Sequence, residues 1–388
     1  MSDADALVVG GGVIGCAVAR ALARDREVRL LERDRIAAGA TGRAAGEVTM
    51  TPAYSDLPSV AAHANAFFRD YGGADFVERP SLELVPPARE DEARRRVDRL
   101  ADDEVPVAFL APERVEDRYP RLSLAAFAGA VRYGETGFLD ADAFTAALAA
   151  DARERGATVE TGVTVSEVLV EDGRVVGAAT DDGERRAPTV VVAAGWRTEP
   201  LLRDVLRLPI RPYRTQCVRV SLGRPLDGEF PMGWVPGDGV YLRPTPDGGL
   251  LVVGGAVAVG SPAEAPHEVD SAEANHDADP AFRDRVLERL PRFLRDAADA
   301  RIVDHWAGVD GATPDTRPIV DAPADAPEGL VAATGFHGRG VMTAPVAATA
   351  VRAVTTGGSA PFPLVAFALD RFESRSRAFP FYGIEEAE

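Results

Sequence analysis

Residues 6–33 read ALVVGGGVIGCAVARALARDREVRLLER, and this stretch decides the fold. It opens on a short apolar strand that runs into three glycines in the spacing G-x-G-x-x-G, namely Gly10, Gly12 and Gly15. Glycines at these positions allow the backbone to turn tightly and a pyrophosphate to approach it closely. The next residues are small, apolar and free of helix breakers, so they predict a helix whose N-terminal N–H groups face the turn.

A second apolar strand, residues 27–31, ends at Glu32, which follows Gly12 by about 20 residues. A carboxylate at that place accepts hydrogen bonds from ribose hydroxyls. The strand–turn–helix–strand unit therefore predicts dinucleotide binding. A glycine turn that serves only strand-to-helix packing is the alternative, and the unit alone does not distinguish FAD from NAD.

Three later segments are also suited to a ligand. Residues 39–46 form a loop of small residues with hydroxyl and guanidinium donors. An apolar strand closes on Ala194 and Gly195, where the backbone can approach a ligand at the carboxyl end of a sheet. A second glycine loop, residues 335–342, runs into a helix.

The composition of the chain excludes some classes of partner and of catalytic chemistry. The chain has 388 residues, a net charge of −18 and 43 basic residues, all of them arginine. This length predicts two domains, and the excess of acid argues against nucleic acid and anionic membranes as partners. Without lysine, a lysine Schiff base and a lysine general base are excluded. The charge pattern resembles that of proteins from salt-loving (halophilic) microbes, the alternative being a merely acidic surface with GC-rich codon usage.

The chain carries no signal of a special compartment or metal. Cys16 and Cys217 lie far apart and form neither a disulfide framework nor a metal-ligand pattern. No apolar run is long enough to span a bilayer, and the first residues do not resemble a signal peptide. We therefore expect a cytoplasmic protein without a metal site.

In this combination the segments resemble the FAD-dependent amine oxidoreductases of the D-amino acid oxidase type, including the glycine oxidase, sarcosine oxidase and proline dehydrogenase branches. The resemblance also rests on Trp306-Ala307-Gly308-Val309 with Thr313-Pro314-Asp315. It implies an α/β (α+β overall) fold with a Rossmann-like FAD-binding domain and an inserted antiparallel-sheet substrate domain. The expected FAD-binding domain comprises residues 1–80, 140–205 and 305–388, and the expected substrate domain comprises residues 81–139 and 206–304.

The resemblance implies FAD as the cofactor and assigns residues to it. The loop 338–342 would place backbone N–H groups and a helix N-terminus at the flavin pyrimidine, where the reduced ring carries negative charge. The implied cofactor-binding residues are Gly10, Gly12, Val13, Ile14, Gly15, Glu32, Arg33, Thr41, Arg43, Ala45, Gly46, Val165, Ala194, Gly195, Gly338, Arg339, Gly340, Val341 and Met342.

The chemistry implied by the family is oxidation of a C–N bond by hydride transfer to flavin N5, followed by hydrolysis of the imine. In D-amino acid and glycine oxidases an arginine soon follows the Trp-x-Gly motif, whereas this chain has Asp310 at about that place. The difference favours a secondary amine such as sarcosine or proline, although glycine stays open.

Three residues are predicted to be catalytic. Tyr241 and Arg243 alternate along a strand and so share one face, which would offer a phenol and a guanidinium to the substrate. A surface pair is the alternative. His337 lies in the second glycine loop and is expected near the isoalloxazine, the alternative being a loop histidine bonded to backbone.

Two other functions stay open. One is a glycerol-phosphate-type dehydrogenase, which would require more cationic ligands in the substrate sheet. The other is a flavin-bearing electron-transfer subunit, which would act in a hetero-oligomer. The electron acceptor could be oxygen, a quinone or an electron carrier. Some sarcosine-oxidising relatives activate oxygen with a lysine near the flavin, so a chain without lysine favours a dehydrogenase. The sequence leaves a homo- or hetero-oligomer open.

Overall fold

The structure is a computed structural model that describes residues 3–103, 105–259 and 274–383. The helices are α1 (Val13–Leu22), α2 (Met50–Ala53), α3 (Pro58–Asp70), α4 (Glu90–Asp102), α5 (Pro112–Arg118), α6 (Ala141–Glu154), α7 (Thr198–Leu202), α8 (Pro280–Arg289) and α9 (Gly340–Thr356). The strands are β1 (Ala6–Val9), β2 (Val28–Glu32), β3 (Glu47–Val48), β4 (Val77–Glu78), β5 (Ser81–Val85), β6 (Val107–Leu110), β7 (Gly129–Tyr133), β8 (Gly137–Phe138), β9 (Thr158–Thr161), β10 (Val165–Glu171), β11 (Arg174–Thr180), β12 (Gly183–Arg186), β13 (Val190–Val192), β14 (Arg211–Ser221), β15 (Met232–Val235), β16 (Val240–Pro244), β17 (Leu250–Ala258), β18 (Arg301–Ala312), β19 (Ile319–Asp321) and β20 (Leu330–Thr334).

A six-stranded sheet with the order β19-β20-β13-β1-β2-β9 forms around the glycine turn. Its strands are parallel except β19, which runs antiparallel to β20. The residues of β1 are all buried because the sheet is covered, and α1 packs against α6 and α9. This is the Rossmann-like sheet that the sequence predicts.

An eight-stranded sheet has the order β18-β14-β17-β16-β15-β5-β7-β6. Its strand pairs are antiparallel except β15 with β5. Alternation along β5 sends Leu82 and Leu84 into a core shared with Val115 of α5 and Phe282 of α8. The opposite face of the sheet is therefore left for a site. The predicted antiparallel sheet is confirmed, and its role in binding the substrate stays a prediction.

Two three-stranded sheets complete the described part of the chain, with the orders β10-β11-β12 and β3-β8-β4. The expected domain boundary between residues 304 and 305 falls inside β18, because that strand pairs with β14 from Arg301 to Ala312. Residues 305–312 thus extend the eight-stranded sheet. Within residues 3–103, 105–259 and 274–383, no helix has the length and hydropathy that a membrane crossing needs.

Candidate active site

A cavity of about 550 Å³ lies between the six-stranded and eight-stranded sheets and is lined by both. Most of the predicted site residues line it: Gly10, Gly12, Val13, Ile14, Glu32, Arg33, Thr41, Arg43, Ala45, Gly46, Val165, Ala194, Gly195, Tyr241, Gly338, Arg339, Gly340, Val341 and Met342. Three predicted residues, Gly15, Arg243 and His337, are not among the lining residues in the described part of the chain.

The three motif glycines differ in what surrounds them. Gly10 has a φ of +109°, and a Cβ there would lie 2.5 Å from the Ala193 carbonyl oxygen, directly after the neighbouring strand β13. A Cβ on Gly15 would lie 1.8 Å from the Gly10 carbonyl oxygen, so this glycine packs the helix onto the turn. Gly12 would meet only the Thr41 hydroxyl, at 3.2 Å, and it lines the cavity. Of the three, Gly12 is therefore the one that leaves backbone open to a phosphate.

The start of α1 and the end of β2 carry the polar groups of the nucleotide side. The Thr41 hydroxyl accepts the N–H of Val13, the first residue of α1, at 3.1 Å. The Glu32 carboxylate accepts the N–H of Gly11 at 2.6 Å and that of Asp34 at 2.8 Å. Two backbone donors thus fix the carboxylate beside the turn. Together with the open backbone at Gly12, this geometry fits an adenine dinucleotide.

The loop that follows is fastened to the eight-stranded sheet. The Trp306 indole donates to the Arg43 carbonyl oxygen at 2.9 Å, and Arg243 Nε donates to the Ala45 carbonyl oxygen at 2.7 Å. The Arg243 guanidinium also lies over the Phe138 ring, 4.8 Å from its centroid. Arg243 shares a sheet face with Tyr241 as predicted, but its charged end supports the loop and does not line the cavity.

His337 also points away from the cavity. Its imidazole stacks on Phe381 and packs against Tyr213, and Nε2 lies 2.9 Å from the Tyr382 carbonyl oxygen. The residue is 1% exposed. Burial, followed by the nearby Arg339 charge, lowers the pKa of His337 to about 4, so the ring is neutral at pH 7. Because Phe381 and Tyr382 pack onto this loop, the side chain faces them and not the cavity.

Asp310, which replaces the arginine expected after the Trp-x-Gly motif, lines the cavity. Its carboxylate accepts the N–H of Gly338 at 2.7 Å and that of Gly311 at 2.8 Å. Burial raises its pKa, and the two backbone donors oppose that rise. Asp310 thus positions the glycine loop that leads into α9.

The face of the eight-stranded sheet that lines the cavity adds residues that the motifs did not indicate. Glu83 is 7% exposed, accepts the Tyr133 hydroxyl at 3.1 Å and forms an ion pair with Arg96. Trp234 and Tyr241, on adjacent strands, line the same wall. The alternation Ser-Leu-Glu-Leu at 81–84 was the available sequence signal, since alternating polar and apolar residues indicate a strand whose two faces lie in different environments.

Glu47 also lines the cavity and was not singled out from the sequence. It directly follows Gly46 of the glycine loop and forms β3 with Val48. Burial raises its pKa to about 8, although the Arg243 charge acts in the opposite direction.

The chain is similar to known proteins along most of its length. The family described as FAD dependent oxidoreductase (DAO) matches residues 5–353. The glycine oxidase of Geobacillus kaustophilus is 27% identical over 385 residues, which cover 95% of this chain and 97% of that protein. The bifunctional protein ThiO/ThiG of Trichormus variabilis is also 27% identical, over 97% of this chain, but the chain spans only 56% of its length.

Solved structures share the fold. The L-proline dehydrogenase of P. horikoshii superposes with a TM-score of 0.85 at 24% identity, covering 96% of this chain and 98% of that one. The cavity between the two sheets, the open backbone at Gly12 and the fixed carboxylate of Glu32 fit the cofactor for which the family is named. The chain belongs to the DAO family of FAD-dependent oxidoreductases, and FAD is its cofactor.

Proposed function

We propose that the chain oxidises the C–N bond of a small amine or N-alkyl amino acid, with sarcosine, proline and glycine as the first candidates. When bound, FAD supplies the hydride acceptor for this chemistry. The protein's part is to bind the amine, to orient its α-carbon and to exclude water. The similarity to a glycine oxidase over nearly the full length of both chains supports an amino acid or amine as the substrate.

The observation that carries the proposal is the character of the sheet wall of the cavity. Of the described residues that line it from the eight-stranded sheet, none is arginine, lysine or histidine, whereas Glu83 and Asp310 are acids. Residues 260–273 contain no arginine or lysine either. An ammonium group suits such a wall, while the phosphate of a glycerol phosphate would lack cationic ligands there.

The aromatic residues of this wall supply the remaining contacts. We propose that Tyr241 and Trp234 pack against the substrate, because aromatic faces attract cations and exclude water. On the opposite wall, Gly12 and the start of α1 would hold the pyrophosphate, Glu32 the adenosine ribose, and residues 338–342 the flavin pyrimidine. Oxygen, a quinone or an electron carrier as acceptor, and a cytoplasmic location, stay predictions from the sequence.

The test is a visible spectrum of the purified holoprotein, followed without oxygen as sarcosine, proline, glycine and D-alanine are added in turn. We expect one of these to bleach the flavin band, and readmitted air then separates an oxidase from a dehydrogenase. Glycerol 3-phosphate is the control and should leave the band unchanged. Bleaching by glycerol 3-phosphate alone would contradict the proposal. Bleaching only in the presence of a co-purifying second chain would favour the electron-transfer subunit.

A further inference from the structure

Glu47 occupies a particular place on the cavity wall. It begins β3 and pairs with Phe138 of β8. Its neighbour Val48 is 1% exposed and belongs to the core around α1 and α9. Because successive side chains of a strand point to opposite faces, Glu47 points away from that core, and it lines the cavity.

One oxygen of the Glu47 carboxylate lacks a hydrogen-bond donor among residues 3–103, 105–259 and 274–383. This oxygen, Oε1, is fully buried and accepts no hydrogen bond there. A buried carboxylate oxygen without a donor is costly, and such groups in folded proteins are nearly always satisfied. A donor that arrives with a ligand in the cavity would satisfy it.

The charged and titratable groups around Glu47 come from several elements. Arg243 on β16 faces it, but this guanidinium already donates to the carbonyl oxygens of Ala45 and Pro244. Cys217 on β14 is buried, and its pKa is raised to about 12, so it adds no charge near neutral pH. Glu83 and Asp310 line the same cavity, as do Arg43 and Arg339. Of the charged groups, Arg243 is the one that lowers the pKa of Glu47, and the Oε1 atom of Glu47 accepts no hydrogen bond from the described residues.

We propose that Glu47 receives the ammonium group of the substrate and takes one of its protons. In that step an N–H bond of the ammonium breaks and an O–H bond forms on the carboxylate. The electron pair of the broken bond remains on nitrogen as the lone pair of the neutral amine. That neutral form is the one that can lose hydride from its α-carbon, so the inference rests on the proposed function and assigns its proton acceptor.

The first test measures binding and not turnover. Trimethylglycine has a quaternary nitrogen without a lone pair, so it cannot be oxidised, and 3,3-dimethylbutanoate has the same shape and carboxylate without the positive charge. Each is titrated into the holoprotein, and binding is followed by the change in the flavin spectrum. At a pH above about 8, where Glu47 is ionised, we expect trimethylglycine to bind about tenfold more tightly or better, because the pair differs only in the charge that meets Glu47.

Three variants locate the effect. Glu47→Gln should bring the ratio of the two dissociation constants close to one, and Glu47→Asp should retain part of it. Glu78→Gln is the matched control, because exposed Glu78 also pairs with β8 but does not line the cavity. An unchanged ratio in Glu47→Gln, or a loss as large in Glu78→Gln, would overturn the assignment.

The wild-type protein provides a second measurement if Glu47→Gln fails to fold or to retain FAD. Ionised Glu47 attracts the cation and neutral Glu47 does not, so the ratio should rise with pH through about 8 and then level off. A ratio that stays flat across this range would also overturn the proposal. Because neither probe is oxidised, this result is separate from the proposed function, which fails only if no amine bleaches the flavin.

Discussion

The two walls of the cavity differ in the residues that form them. On the nucleotide side the wall is rich in glycine and alanine, with Gly10 and Gly12 in the turn and the first N–H groups of α1 beside them. On the side of the eight-stranded sheet it includes larger side chains such as Glu83 and Tyr241. A side chain added at a glycine of the first wall would either clash with neighbouring backbone or occupy the space of the cofactor, whereas the side chains of the second wall can change residue by residue while the fold persists. Cofactor binding should therefore tolerate little substitution, and substrate choice should depend on the sheet.

The largest expected effect tests the wall on the nucleotide side with a pair of glycines. Gly15→Val should lower the free energy of unfolding by roughly 3 kcal/mol or more, because its Cβ would meet the Gly10 carbonyl oxygen at 1.8 Å. Gly12→Leu should fold but lose FAD. A Cβ at this position meets only the Thr41 hydroxyl, and the rest of the leucine side chain would fill the cavity. Chemical denaturation measures the first effect and flavin absorbance the second.

The control for this pair is Gly72→Ala, because a Cβ at Gly72 meets nothing within 4 Å. Its stability and FAD content should match those of the wild type. Stoichiometric FAD in Gly12→Leu would contradict the difference between the two walls.

The next effect concerns His337. Its folded pKa of about 4 lies below the unfolded value of 6.5, so the unfolded chain binds the proton more readily. The contribution of neutral His337 to the free energy of unfolding is therefore fully present above pH 6.5. It falls by about 3 kcal/mol as the pH falls toward 4. Between about pH 7.5 and about pH 4, the free energy of unfolding should fall by about 3 kcal/mol less in His337→Asn than in the wild type. Asparagine is chosen because the residue has a positive φ of 52°.

A catalytic role for His337 would give another result. The variant would then lose turnover at saturating FAD, and its stability would depend on pH as the wild type's does. That outcome would return this side chain to the flavin side of the loop.

The smallest effect tests how Arg243 acts. Arg243→Ala removes the donor to the Ala45 carbonyl oxygen and should raise the dissociation constant of FAD about tenfold, while the KM for a carboxylated substrate at saturating FAD stays unchanged. Trp306→Phe removes the matching donor to Arg43 and should behave in the same way. A KM that rises severalfold with unchanged FAD affinity would restore the sequence-based prediction that Arg243 binds the substrate carboxylate.

The difference between the walls also explains which features could be predicted. The family, the FAD cofactor and the Rossmann-like sheet are confirmed, because the glycine spacing and Glu32 act through local backbone geometry. The directions of Arg243 and His337 depend on carbonyl groups of Ala45 and Tyr382, which lie far away in sequence. Local patterns carry no information about such partners.

The acids of the sheet wall could not be predicted from the sequence, for another reason. The chain has 61 aspartates and glutamates, and most acidic residues in such a composition belong to the surface. The sequence alone therefore does not distinguish Glu47 and Glu83 from solvated acids, and strand pairing places them in the cavity. The individual cofactor contacts and the two-domain division stay predictions.

The bonds from Trp306 and Arg243 to the loop at residues 40–46 bear on the lifetime of the loaded protein. They attach a segment of the nucleotide side to strands β18 and β16 of the other sheet. Where the departure of FAD requires these two parts to separate, the barrier to departure includes breaking contacts that the cofactor does not make. We expect a long residence time for FAD, set by an opening motion of the protein and only partly by the strength of its own contacts.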